Sequence, residues 1–187
     1  MTFGNGTTLQ VQAVLSVNGN WTVLPGTATV NGGMVQTIGD FNLGGGGVLI
    51  ANANFNVPGA ANINSSGFVV NSQFTVNDSV NLSASVQAVV NGALTTPNVN
   101  VGQSSQLTVF GTVNGNAANA GLLQGRGLVN GNVINTGTVS PGTSIGTLTV
   151  NGDYTQNASG TLRIEVAGSS PEASPWEWIT ALGPTLP

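Results

Sequence analysis

Apolar side chains recur in this chain at every second position, in short runs of about three to five residues, which is the spacing of a strand with one buried face. Phe41-Asn-Leu43, Phe55-Asn-Val57 and Phe74-Thr-Val76 share one form: aromatic, polar, aliphatic. Leu82, Ala84, Val86 and Ala88 alternate with Asn81, Ser83, Ser85 and Gln87. Gly, Asn or Pro follows each run, so each predicts a short strand closed by a turn. No window carries apolar residues at i, i+3, i+4 and i+7 flanked by charges, and no helix is predicted. Short strands with turns this frequent suit a parallel β-helix or an antiparallel β-sandwich.

Repetition separates the two. Val-Asn-Gly begins at Val17, Val30, Val90, Val113, Val129 and Val150. A longer form, Leu, hydroxyl residue, Val, any residue, Gly, begins at Leu15, Leu107 and Leu148. The last two lie about two turns of a 20-residue repeat apart, and self-similarity in that range marks a solenoid. Asn-Gly is also the strongest hairpin signal. Yet Val129, Gly131, Val133, Asn135, Gly137 and Val139 keep one parity straight through it. A strand that turns a corner and continues explains this better than a hairpin. The expected fold is all-β: a right-handed parallel β-helix spanning 1–167, about eight coils at roughly 20 residues each, some 40 Å long. The antiparallel sandwich is the alternative. Gly44 to Gly47 and Thr95-Thr-Pro97 interrupt the repeat and are expected at corners. Inside such a stack Val, Leu, Ile and Phe meet like residues, and corner Asn amides can form ladders.

Composition sharpens this picture. Only 4% of residues are charged, against about 25% in ordinary domains, while 40% are hydrophobic. That argues against disorder. The two basic residues, Arg126 and Arg163, cannot form a phosphate-binding face, so nucleic acid is not an expected partner. With no Cys or His there is no thiolate or imidazole metal site. No apolar run of about 18 residues predicts a transmembrane helix. Met1-Thr-Phe-Gly-Asn-Gly lacks the features of a signal peptide. The end of the chain, 168–187, changes character, carrying several prolines and two of the three tryptophans. It reads as a loose end, or as a cap in which Trp176, Trp178 and Ile179 cover the last coil.

One stretch carries more than style. It reads Gly-Asn-Val133, Asn135-Thr-Gly-Thr-Val139-Ser-Pro-Gly-Thr-Ser-Ile-Gly146-Thr-Leu-Thr-Val150, Gly-Asp-Tyr154-Thr-Gln156 and Leu162-Arg-Ile-Glu-Val166. This text, chiefly residues 122–166, resembles the C-terminal part of bacterial autotransporter passenger domains and related surface proteins with autotransporter-associated strand repeats. The resemblance implies a right-handed β-helical passenger, secreted or held at the cell surface, next to a membrane β-barrel. No barrel strands follow here. The implied role is a non-enzymatic, adhesin-like stalk whose partners are surface glycans or proteins of a host, a matrix or neighbouring cells. A self-assembling solenoid that joins end to end is the alternative, and a polysaccharide-active enzyme a distant one.

Candidate chemistry is thin. The acids Asp40, Asp78, Asp153, Glu165, Glu172 and Glu177 are scattered, without the paired carboxylates that hydrolases need. Asp153 is expected at a corner, bonding backbone N–H groups. Arg163 and Glu165 are expected as an exposed pair of small value. Gly44 to Gly47 precedes Val48-Leu-Ile, so it is neither a calcium nonapeptide nor a phosphate loop. The pairs Thr27/Thr29 and Thr147/Thr149 do not recur coil by coil as an ice-binding array would. No catalytic, cofactor-binding or metal-binding residue is assigned, and no cofactor is expected.

Overall fold

The structure, a computed structural model, describes residues 1–64, 66–144, 146–167 and 176–182. It is a parallel β-solenoid of about eight turns, with no helix among the described residues. Each turn contributes three short strands, one to each of three lengthwise sheets. The first sheet runs from Thr2–Phe3 through Trp21–Val23, Phe41–Gly44, Ala61–Asn64 and Ser79–Ser83 to Tyr154–Gln156. The second passes through 7–11, 27–32, Val48–Ala51, Gly67–Val70, Gln87–Val90, Gln106–Val109 and Leu122–Gly125. The third passes through 14–18, 34–38, Asn54–Val57, Gln73–Val76, 93–95 and 112–114 to Thr149–Val150. All these pairings are parallel, which rules out the sandwich. The antiparallel partners among described residues are an isolated Gly125–Gly142 bridge and strand Trp176–Leu182, which runs back along Thr161–Ala167. Residues 168–175 and 183–187 of the stretch read as loose end or cap lie outside the described residues.

The two-residue alternation explains the core. Phe41 and Leu43, Phe55 and Val57, and Phe74 and Val76 are all buried. The inward parity across Val129, Val133, Asn135 and Val139 also holds, and all four are buried. Side chains from successive coils meet in columns. Phe3, Trp21, Phe41, Phe55, Phe68 and Phe74 form one aromatic cluster, with centroids 4.9–6.3 Å apart, inside the first four coils. Aromatic pairs at such separations add to their area burial.

The coils then narrow. The step between stacked positions is 19 residues from Gln87 to Gln106, but 16 from Gln106 to Leu122 and 16 again from Leu122 to Thr138. A shorter perimeter encloses less volume. The short coils accordingly bury Val113, Ala117, Leu123, Val129 and Val133, without an aromatic ring. The loop at Pro141-Gly142 restores length: Thr138 stacks on Thr161, 23 residues on.

Two sequence expectations change. Leu107 does not share a register with Leu148: Leu107 stacks on Ala88 and Leu123 in the second sheet, whereas Thr149, next to Leu148, stacks on Leu128 in the third. The same text serves two faces because both require an inward apolar pair followed by a tight corner. The alternation through 81–88 also breaks. Ala84 and Ser85 take positive φ, 57° and 67°, and both are exposed, so Leu82 faces inward from Ser79–Ser83 and Val86 from just before Gln87–Val90. Gly44 to Gly47 is a corner as expected, and Thr95-Thr-Pro97 is a bend inside the long strand Ala93–Val101.

Val-Asn-Gly acquires a physical meaning in coils six to eight. Val113 stacks on Val129, and Val129 on Val150. Gly115, Gly131 and Gly152 form a parallel column: a Cβ on Gly131 would sit 2.4 Å from the Gly115 carbonyl oxygen, and one on Gly152 would sit 2.5 Å from that of Gly131. Only glycine lets the backbones cross this closely at the corner.

Candidate functional site

The surface carries ladders of asparagine amides. On the first sheet Asn20, Asn42, Asn62, Asn81 and Asn100 line up one per coil. The amide Nδ2 of each from Asn42 onward donates to Oδ1 of the coil before, at 3.3, 2.9, 2.8 and 2.8 Å. At the corner after the second sheet, Asn52, Asn71 and Asn91 donate to Asn31, Asn52 and Asn71 at 2.7 Å each. On the third sheet Asn151 donates to Asn130, Asn130 to Asn114, and Asn114 to the Thr95 hydroxyl, at 3.0, 3.4 and 3.2 Å. An uncharged donor–acceptor group repeated every ~4.8 Å suits such stacking, and like charges there would repel. All three ladders point the same way, so each is a chain of aligned dipoles that reinforce one another.

Two of the three ladders end at an apolar residue. Above Asn100 the first sheet presents Ala118 and then Ile134, which is 49% exposed. A groove of about 390 Å³ lies there, bordered by Asn81, Asn100, Gly102, Ala118, Ala120 and Ile134. At the other corner the position after Asn91 holds Phe110 and then Arg126. Their backbone N–H groups repeat the same coil-to-coil bonds. The Arg126 guanidinium lies 5.5 Å from the Phe110 ring centroid, a cation–π contact on an exposed surface.

A second set of corner amides points inward. Asn119 and Asn135 are 1% and 0% exposed. They extend the column that runs from Trp21 through Leu43, Ile63, Leu82 and Val101, and lead on to Gln156. Asn119 Nδ2 donates to Asn135 Oδ1 and to the Thr138 carbonyl, both at 2.8 Å. Asn135 Nδ2 donates to Gln156 Oε1 and to the Thr161 carbonyl, both at 3.0 Å, and its Oδ1 accepts from the Gly137 N–H at 3.2 Å. The short corners Asn119-Ala-Gly and Asn135-Thr-Gly are held together by these side chains. The signal was present in the sequence: Asn135 sits on the inward parity of its strand. Asn119 Oδ1, Gln156 Nε2 and Trp21 Nε1 are buried without a partner. Burial raises the pKa of Tyr154 above 10.0, while its contact with Asn135 acts in the opposite direction.

Asp40, Asp78 and Asp153 each precede a first-sheet strand, in different coils, with Asp78 two coils from Asp40. Asp40 and Asp153 sit at the corner before the first sheet, six coils from each other. At ~4.8 Å per coil they are roughly 29 Å apart, too far to share a proton or an ion. Asp40 Oδ1 accepts the Ala60 N–H at 2.9 Å, the corner role expected for Asp153. Asp153 occupies the equivalent corner and donates its own N–H to Asn132 Oδ1 at 2.8 Å. Arg163 and Glu165 lie two residues apart on Thr161–Ala167. No group of three or more metal-ligating side chains converges among the described residues. Comparison with family models, with curated proteins and with solved structures returned no match.

Proposed function

We propose that this chain is a segment of a bacterial surface protein that works as a rigid, passenger-like β-solenoid stalk, adhesive rather than catalytic. The reading rests on one observation above the rest. The coils are joined along their whole length by backbone hydrogen bonds and by amide ladders, so any axial load is spread over many parallel bonds. The text that resembles autotransporter passengers supports the same reading, because 133–166 occupies the last coils and their corners. Glycans and proteins of neighbouring surfaces are the proposed partners, and the cell surface the proposed location. The test is to place the chain between a signal sequence and a membrane β-barrel translocator in a Gram-negative host. Surface display with resistance to proteinase K is the expected result. Degradation inside the periplasm would overturn the proposal.

A second reading, end-to-end assembly into fibres, has its own support. No charged side chain occurs among residues 1–39, so these coils present no like side-chain charges to oppose stacking on another solenoid. Filaments in electron micrographs of the purified chain would favour this reading, and monodisperse rods would refute it.

A further inference from the structure

The chain contains seven Asn-Gly pairs, at Asn5, Asn18, Asn31, Asn91, Asn114, Asn130 and Asn151. This dipeptide is chemically vulnerable. The glycine backbone nitrogen, once it has lost its proton to solvent base, can attack the asparagine side-chain carbonyl carbon, Cγ. A new N–Cγ bond forms, the Cγ–Nδ2 bond breaks, and ammonia leaves. The resulting five-membered imide then takes up one water and opens to aspartate or isoaspartate. Glycine permits this because no side chain hinders the approach of its nitrogen. The reaction needs a free amide, a free glycine nitrogen and room to rotate.

Six of the seven pairs are restrained. Asn5 Oδ1 accepts the Thr27 N–H at 3.1 Å, and the Gly6 N–H donates to the Thr27 carbonyl at 2.8 Å. Asn31 Oδ1 accepts from Asn52 at 2.7 Å. Asn91 donates to Asn71 at 2.7 Å, while the Gly92 N–H donates to the Val70 carbonyl at 3.0 Å. Asn114, Asn130 and Asn151 belong to the ladder on the third sheet. The exception is Asn18. Its stacked neighbour is not an amide but Ile38, which is 59% exposed. No side-chain bond to Asn18, and no backbone bond from the Gly19 N–H, exists among the described residues. Gly19 adopts φ +90°, and the space where a Cβ would stand is open.

We infer that Asn18–Gly19 is the chain's site of spontaneous conversion from amide to acid, and that the ladders shield five of the other six pairs from the same reaction, Asn5–Gly6 being held by the Thr27 backbone. The ladders therefore act as chemical protection as well as cohesion, whichever surface role the solenoid serves. Breaking two ordinary hydrogen bonds before reaction reduces the reactive population by roughly ten-fold or more.

The test is peptic peptide mapping by mass spectrometry of the folded chain during incubation at mildly alkaline pH. Asn18 is expected to convert at least about ten-fold faster than Asn91 or Asn130, and unfolding in urea is expected to bring the seven rates together. Two variants probe the cause. Ile38→Asn supplies Asn18 with a ladder partner and is expected to slow it. Asn71→Ala removes the partner of Asn91 and is expected to speed that site. Circular dichroism checks that each variant is folded, and the wild-type comparison stands without them. Equal rates at Asn18 and Asn91 in the folded chain would overturn the inference. So would an Asn18 rate unchanged in folded Ile38→Asn together with an Asn91 rate unchanged in folded Asn71→Ala.

Discussion

Replacing Asn135 with valine should destabilise this protein, although it exchanges a buried polar side chain for an apolar one of similar size. The naive expectation is the reverse, since Val101 already occupies the same column two coils earlier. The magnitude follows from the bonds lost. The Thr161 carbonyl and the Gly137 N–H each lose a partner, and Gln156 Oε1 and Asn119 Nδ2 each lose one of their contacts. Four bonds at about 1 kcal/mol each are offset by about 1–2 kcal/mol from burying an extra apolar group. The net loss is about 2–3 kcal/mol, which for a chain of this size lowers Tm by about 4–12 °C. Thermal unfolding followed by circular dichroism, with urea titration alongside, measures it. An unchanged or raised Tm would show that the inward amides are tolerated rather than required, and would refute the account of the short corners.

Three further outcomes follow from the packing and the titration. Phe74→Ala should cost about 3–5 kcal/mol, because its ring lies 4.9 Å from both Phe55 and Phe68. Phe110→Ala, at an exposed position, should change urea stability by less than about 1 kcal/mol. Gly127→Ala would place a Cβ 2.3 Å from the Gly111 carbonyl oxygen and should cost about 2–3 kcal/mol. Gly4→Ala, where nothing lies closer than 3.8 Å, is the matched control and should leave Tm nearly unchanged. The folded chain holds the Tyr154 proton more tightly than the unfolded chain does. The stability this contributes is therefore complete below pH 10.0 and is lost as pH rises beyond it. Phenolate absorbance, which Tyr154 alone supplies, should appear at higher pH in the folded chain than in urea.

The coil was legible in the sequence because its two requirements, alternation and corner glycines, are local. Phe41-Asn-Leu43 carries its own orientation, and Val129-Asn-Gly131 carries its own corner. Which strand stacks on which was less legible, since register depends on coil length. Leu107 and Leu148 share text yet belong to different sheets, because the chain drops to 16-residue steps between them and then inserts the Pro141 loop. Ala84 and Ser85 continued an alternation in the sequence, and only the left-handed backbone there shows the corner. The surface ladders could be anticipated from Asn content. The inward ladder at Asn119 and Asn135 could not be inferred from residue type, because asparagine is usually exposed. Parity was the signal, and it outranked type.

The change in coil length has a mechanical consequence. The resistance of a beam to bending rises steeply with its width, so a prism that tapers does not flex evenly. Between Gln106 and Thr138 the section is at its slimmest and contains no buried ring. A sideways push on the tip would therefore concentrate curvature there, leaving the aromatic-filled first four coils straight. The tapered segment is the least stiff part of an otherwise rigid prism, and its inward amides bond the corners there.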